Sequence, residues 1–297
     1  MTLKKMLFVM NPYAGMRKAN KHLADILSVF NAADYEVTVY MTACQGDAKR
    51  IVYECAAGKD LVVCAGGDGT FNETVNGLLD AGLDIPLGYI PCGSTNDFAA
   101  SLKLPTDPVK AAQVIAGGTP VSYDVGKFGD RHFTYVASFG AFTKASYATP
   151  QNVKNALGHA AYILEGIQEL SQLKSLPVRI ELPDQVIEDK FLFGAVSNST
   201  SVGGILTLDP KQVDMTDGLF ELLLIRAPKD LLELHEFIWA LQKQQYNCSM
   251  MTFISTPSLT VHADPNMIWT LDGERGDGHE TVEIKNLHHA IRLMTKG

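Results

Sequence analysis

Cys64-Ala65-Gly66-Gly67-Asp68-Gly69-Thr70-Phe71-Asn72-Glu73-Thr74 places a carboxylate inside a glycine loop between a strand and a helix. Upstream, Leu61 to Ala65 is an unbroken apolar run rich in valine, which suits a strand buried on both faces of a parallel sheet. The loop therefore leaves that strand at its C-terminal edge. Gly66, Gly67 and Gly69 lack Cβ atoms, so the backbone can take positive φ and bring its N–H groups close to a phosphate. Thr70 is expected to cap the next helix, with Glu73 completing a capping box and Phe71, Val75, Leu78 and Leu79 on one face. Gly82 suits the C-terminal stop. The helix N-terminus adds partial positive charge where the loop would hold an anion. Asp68 repels a bare phosphate, a conflict that a divalent cation removes, and hard Mg²⁺ takes such oxygen ligands. The same residues also read as a tight turn in which Asp68 satisfies local N–H groups, and the glycines alone leave both readings open.

Three further strand ends extend the pattern. Leu87 to Ile90 runs into Pro91-Cys92-Gly93-Ser94-Thr95-Asn96-Asp97-Phe98-Ala99, Met6 to Met10 runs into Asn11-Pro12-Tyr13-Ala14-Gly15, and Val37 to Met41 ends at Thr42. In an open α/β sheet ligands sit beyond the carboxyl ends of the strands, so these loops can line one site. Helices are expected over 19–30, 47–57, 71–81 and 108–116, the last capped by Asp107 with Pro108 in its first turn. This alternation implies parallel strands with helical crossovers.

Beyond Val121 strand follows strand: 121–128, 132–139, 178–182, 186–197, 219–226, 259–263, 267–271, 281–285 and 290–294. Short strands joined by turn residues indicate an antiparallel sandwich or barrel-like domain. Two helical insertions interrupt it, with apolar faces at Leu157 to Leu173 and at Leu231 to Leu241. Core packing is the plainer account of both stripes, and a cover over a lipid tail is the sharper account of the first.

The chain has 297 residues, 46% hydrophobic and 20% charged, a globular balance with room for two cores. A net charge of −8 argues against nucleic acid and against strong attachment to anionic lipid. Cys44, Cys55, Cys64, Cys92 and Cys248 show no CxxC spacing, which indicates reduced thiols in a cytoplasmic protein. The histidines likewise lack metal-binding spacing and read as structural or exposed. No apolar run is long enough to span a membrane, and the apolar run after Met1-Thr2-Leu3-Lys4-Lys5 is too short for a signal peptide and reads as the first strand.

Together NPYAG (11–15), GGDGTFNE (66–73), PCGSTNDFA (91–99), TDGLFEL (216–222) and LDGE (271–274) resemble the diacylglycerol kinase catalytic-domain family, which is related to sphingosine kinases and, distantly, to NAD kinases and phosphofructokinases. GGDGT is shared with the distant relatives, whereas GSTNDFA looks like the lipid-kinase version. The resemblance implies a phosphofructokinase/NAD-kinase-like α/β domain over 1–121, with the C-terminal segment near 287–297 expected to pack back on it. It implies a mainly antiparallel β-sandwich lipid-substrate domain over 122–286. The implied activity is ATP-dependent, Mg²⁺-assisted phosphorylation of a lipid hydroxyl, diacylglycerol first, by a cytoplasmic protein in transient contact with the inner membrane face.

The resemblance further implies ATP contacts at Asn11, Thr42, Gly66, Gly67, Asp68, Gly69, Thr70, Asn72, Ser94 and Asn96. It implies catalytic roles for Asp272 and Asp68, Asp272 being the base, with Glu274 a weaker candidate. Mg²⁺ is assigned to Asp68 and, at a structural site, to the Asp217 carboxylate and the backbone oxygens of Asp214 and Leu219, with Asp97 linked to that ion through water. On sequence alone, Asp272-Gly273 reads first as a hairpin and Asp217-Gly218 as a turn. Ser94 keeps the hydroxyl of the family's usual threonine. Ala14 and Met16 stand where relatives often have serine and lysine, leaving Arg17 or Lys18 as substitutes. Competing acceptors are a sphingoid base, phosphatidylglycerol and NAD, and a nucleotide-binding regulator without turnover is the competitor from another class. The oligomeric state stays open, a homodimer included.

Overall fold

The computed structural model describes residues 3–141, 174–202, 206–208, 211–242 and 248–296. The first insertion, Leu157 to Leu173, lies outside the described residues, and so does its reading as a cover. The chain divides into two units, Met1–Val125 with Leu287–Gly297, and Gly126–Asn286.

In the first unit β1 (Lys4–Met10), β2 (Tyr35–Met41), β3 (Leu61–Gly66) and β4 (Leu87–Pro91) form a parallel sheet in the order β4-β3-β1-β2. Register sets Met10 level with Met41 and Ala65, and Ala65 level with Ile90, so four loops leave the sheet at one height. Helices α1 (Ala14–Lys21), α2 (Leu23–Ala32), α3 (Asp47–Cys55), α4 (Asp68–Asp80), α5 (Asp97–Ser101) and α6 (Pro108–Gly117) complete the alternation. On one face Met6, Phe8, Leu61, Val63 and Ile90 form a core with Ile26, Phe30, Ala112 and Ile115 of α2 and α6. The expected helix 19–30 begins earlier, at Ala14, and breaks at His22, which ends α1 and precedes α2. The Asp107 cap is observed, its Oδ1 accepting the Lys110 N–H at 2.9 Å, and Gly82 follows α4 at φ +63°.

The second unit is antiparallel. Its elements are β6 (Arg131–Phe133), β7 (Val136–Gly140), β8 (Leu176–Glu181), β9 (Val186–Ser197), the short pair β10 (Ser201–Val202) and β11 (Leu206–Thr207), β12 (Phe220–Arg226), α7 (Leu231–Gln242), β13 (Met251–Thr256), β14 (Ser258–His262), β15 (Trp269–Leu271) and β16 (Glu274–Gly276). Two strands pass through both units, β5 (Thr119–Phe128) and β17 (Thr281–Thr295). Leu293 at the far end of β17 pairs in parallel with Leu87 of β4, inside the first unit. The second core gathers Phe133, Phe220, Leu222, Leu224 and Ile284, with Trp269 edge-on to Phe128 and Phe139 at 4.9 and 5.0 Å. Expected strands 281–285 and 290–294 are one strand, and β13 and β16 were not anticipated. The strand expected over 132–139 breaks between β6 and β7, because the backbone N–H groups of Thr134, Tyr135 and Val136 turn to the Asp272 carboxylate.

Candidate functional site

Three of the level loops close on one another at the first unit's rim. The Asn11 N–H donates to Ala65 O at 2.9 Å and the Cys92 N–H to Gly66 O at 2.7 Å, so each loop starts as a continuation of the sheet ladder. Asn11 Oδ1 accepts the Tyr13 N–H, while its Nδ2 donates to Thr70 Oγ1 at 3.4 Å. Asn96 clamps the Gly93 peptide from both sides, accepting its N–H at 2.8 Å and donating to its carbonyl at 2.9 Å. Phe71 stacks on Tyr89 at 4.4 Å and on Phe98 at 4.6 Å, pinning α4 to β4 and α5. Each such pair is worth ~1 kcal/mol beyond its burial.

Gly66 and Gly67 serve close approach rather than positive φ: none of Gly66, Gly67 and Gly69 is left-handed, and Gly67 is extended at φ −89°, ψ −175°. A Cβ on Gly93 would lie 2.6 Å from Gly67 Cα, and one on Gly66 would lie 2.5 Å from Thr70 Cβ. Gly15 combines both needs, at φ +52° with a hypothetical Cβ 1.9 Å from Cys92 O. Gly93→Ala is therefore expected to force the two loops apart, at ~1–3 kcal/mol of overpacking. Calorimetric titration with ATP should show binding weakened about tenfold or more, with far-UV circular dichroism unchanged.

The expected capping box at Thr70 and Glu73 is not formed. Helix α4 starts at Asp68 with Gly67 as cap. Thr70 is buried inside the first turn, and Glu73 instead caps α3, accepting the Gly46 and Ala48 N–H groups at 2.8 and 3.1 Å. Asp68 Oδ2 accepts the Asp97 N–H at 3.1 Å, so the carboxylate ties the first glycine loop to the start of α5. Asn96, at φ +53°, takes the cap position of α5, and Asp97 is its first residue. Thr42 is buried at the end of β2, Ser94 is exposed on the third loop, and Asn72 accepts from Asn76 Nδ2 along α4. Ala14 opens α1; the side chains of Met16, Arg17 and Lys18 lie outside the described residues. All five cysteines are free, and burial pushes the Cys64 thiol beneath the loop up to about 12, which makes it inert as a nucleophile.

The remaining expected residues belong to the second unit. Asp272 and Gly273 form a two-residue hairpin between β15 and β16, both left-handed at φ +49° and +82°. Paired positive φ values are what a type I′ turn needs. The Asp272 carboxylate is 5% exposed. Its Oδ2 accepts from Thr134 N (2.6 Å) and Thr134 Oγ1 (2.8 Å), and its Oδ1 from Tyr135 N (3.0 Å) and Val136 N (3.1 Å). Burial pushes its pKa up, and these donors oppose the shift. Four donors occupy the roughly four lone-pair directions of a carboxylate, so in this arrangement Asp272 anchors the hairpin to the turn at 134–136. Glu274, two residues on in β16, has a partly exposed side chain and forms an ion pair with the half-exposed Arg131 at 3.8 Å.

At the TDGLFEL segment, Asp214 Oδ1 accepts from Thr216 N and Oγ1, Asp217 Oδ1 accepts the Leu219 N–H at 2.9 Å, and Leu219 O accepts from Asn286 Nδ2 at 2.9 Å. The all-oxygen donor set suits Mg²⁺. Beside it Glu221, overlooked in the sequence, is 2% exposed, and its Oε2 has no hydrogen-bond partner among the described residues. Burial first, then the charges of Asp217 and Asp214, push its pKa up to about 8. An orphaned carboxyl among like charges is what a cation-binding segment leaves when no cation neutralises it, so these residues fit the ion. Because the folded pKa lies above the unfolded one, stability is greatest below about pH 4.5 and is lost as pH rises toward about 8. In EDTA, Glu221→Gln should match the wild type near pH 4 and exceed it near pH 8.5 by roughly 3 kcal/mol in urea unfolding, somewhat less than the full shift implies. Equal stability at both pH values would remove Glu221 from the charge cluster.

With this geometry in view, the comparisons assign the class. Residues 5–128 match the diacylglycerol kinase catalytic domain, and residues 136–295 match the YegS C-terminal NAD kinase beta sandwich-like domain. The chain belongs to the diacylglycerol kinase family, with an N-terminal α/β domain of parallel strands and a C-terminal antiparallel β-sandwich-like domain. It is 34% identical to the diacylglycerol kinase of Bacillus subtilis (strain 168) over 98% of its own length and 96% of that protein's. It is 32% identical to a diacylglycerol kinase of Staphylococcus epidermidis over 98% and 92% of the two chains. A crystal structure of a Bacillus anthracis str. Sterne protein described as a diacylglycerol kinase covers 100% of the chain and 98% of its own at a TM-score of 0.77 and 23% identity, a likeness of fold. Among the described residues no helix is long and apolar enough to cross a membrane.

Proposed function

We propose that this protein transfers the γ-phosphoryl group of ATP to the hydroxyl of a membrane lipid alcohol, diacylglycerol first, in a Mg²⁺-dependent reaction. The observation that carries the reading is the backbone-to-backbone closure of Gly67 on Gly93, with Asp68 at the N-terminus of α4 beside it. Bare amides, a helix N-terminus and one carboxylate suit a triphosphate held together with a metal ion. The phosphates fall to Gly66 to Thr70, with Asn11, Thr42, Asn72, Ser94 and Asn96 as polar neighbours. Asp68, and separately Asp214, Asp217 and the Leu219 carbonyl, would hold Mg²⁺. Bound Mg²⁺ supplies neutralisation of phosphate charge. Relatives named diacylglycerol kinase support the choice of acceptor.

Phosphoryl transfer needs positioning more than covalent chemistry from the protein. The acceptor oxygen forms its bond to the γ-phosphorus as the bond to the β,γ-bridging oxygen breaks, and ADP departs. The hydroxyl proton passes to Glu274, while Asp272 fixes the hairpin that carries it. The protein meets its acceptor by transient contact with the cytoplasmic face of the membrane.

The reading is tested by incubating purified protein with γ-labelled ATP, Mg²⁺ and a panel of diacylglycerol, sphingoid base, phosphatidylglycerol, NAD and sugar phosphates. Label is expected in diacylglycerol. Label confined to NAD would overturn the lipid assignment, and tight ATP binding without any labelled product would overturn the kinase assignment in favour of a regulator.

A further inference from the structure

His288 and His289 stand at the start of the part of β17 that belongs to the first unit, and Asp124 lies in β5 one residue before that unit's first segment ends. In a regular strand successive side chains point to opposite faces. Here His289 is left-handed at φ +54°, and the two imidazoles lie on the same side, stacked with ring centroids 3.7 Å apart at 25°. The same kink directs the His289 N–H to Asp124 Oδ1 at 2.8 Å and brings His288 Nδ1 within 3.1 Å of that oxygen. Asp124 is fully buried, whereas both rings are exposed. One ligand atom from each of the three residues lies within 4.8 Å of the other two.

We propose that Asp124, His288 and His289 form a site for a borderline divalent transition cation such as Zn²⁺, Co²⁺ or Ni²⁺, distinct from the residues assigned to ATP and Mg²⁺. Two neutral imidazoles and one carboxylate make a donor set that these cations accept and that Mg²⁺, which prefers oxygen, does not. With Asp124 as acceptor His288 carries its proton on Nδ1 and keeps an Nε2 lone pair toward solvent; binding through either nitrogen displaces a proton or uses that lone pair. A metal must lie near the plane of each imidazole, so loading turns the rings out of their stack. Both side chains are exposed and have room to do so. Solvent fills the remaining positions, because three protein ligands converge among the described residues.

The site is tested on tag-free protein stripped with EDTA and desalted, then titrated with Co²⁺ alone in excess Mg²⁺ and followed by visible absorption. One equivalent of Co²⁺ should bind saturably and be displaced by Zn²⁺. His288→Ala, and His289→Asn, which tolerates the left-handed backbone, should each weaken binding about tenfold or more. Cu²⁺ added to the wild-type protein gives a readout free of any variant: nitrogen couplings from two imidazoles are expected in its electron paramagnetic resonance spectrum. Absence of saturable Co²⁺ binding, Co²⁺ affinity unchanged in His288→Ala and in His289→Asn, or a Cu²⁺ spectrum without imidazole nitrogen would each overturn the site.

Discussion

Asp68→Asn is expected to lower kcat with ATP and Mg²⁺ by ~10³-fold or more while leaving the thermal midpoint within a few degrees of the wild type. The amide oxygen can still accept the Asp97 N–H that Asp68 Oδ2 takes at 3.1 Å, so the loop-to-α5 contact survives. What the substitution removes is the negative charge at the first residue of α4. In phosphoryl transfer, neutralisation of the phosphate oxygens provides most of the transition-state stabilisation, and deleting a group that organises it costs several kcal/mol. The small structural penalty is loss of a favourable carboxylate at a helix N-terminus, ~0.3–1 kcal/mol. Steady-state kinetics across a Mg²⁺ series, with circular dichroism melting, separates the two effects. Full activity of the variant at ordinary Mg²⁺ would mean that Asp68 is only a turn residue, the alternative its sequence also allowed.

The first unit was legible because its signals are local. Apolar runs bounded by glycine loops marked each parallel strand, and the loops' common rim followed from topology alone. What the sequence hid were contacts between distant segments. Glu73 was assigned to its own helix three residues from Thr70, yet it caps α3, whose first residue lies 26 positions upstream, through Gly46 and Ala48. The glycines were read as conformational devices, and two of them prove to be spacers: Gly67 must stay bare because Gly93 on another loop packs against it, and Gly66 because Thr70 of the following helix does. In the second unit alternation gave most strands, but the division of 132–139 into β6 and β7 depends on a carboxylate more than a hundred residues away. His288 and His289 showed no ligand spacing, since their third partner is Asp124 in a different strand. Glu221 sits one residue from Phe220 in a strand, a position that alternation marks as outward, and only the structure shows that face to be closed around it.

Asp272 and Glu274 should separate cleanly when each is neutralised. Asp272→Asn keeps the size of the side chain but replaces one acceptor oxygen by a donor NH₂, which then faces N–H groups of Thr134 to Val136 that can only donate. At least one buried N–H is left without an acceptor and the charge-assisted character of the remaining bonds is lost, at ~3–5 kcal/mol in a fully enclosed setting. Unfolding of the second unit should therefore shift to markedly lower urea or temperature, and any fall in turnover should track the folded fraction. Glu274→Gln neutralises a partly exposed side chain, and the loss of its ion pair with Arg131 at 3.8 Å costs little. Its melting should be unchanged while kcat falls ~10²–10⁴-fold, the usual worth of a general base, with ATP affinity preserved. The opposite pattern, a stable and inactive Asp272→Asn beside an active Glu274→Gln, would return the proton-accepting role to Asp272 and require its four hydrogen bonds to loosen when the lipid hydroxyl arrives.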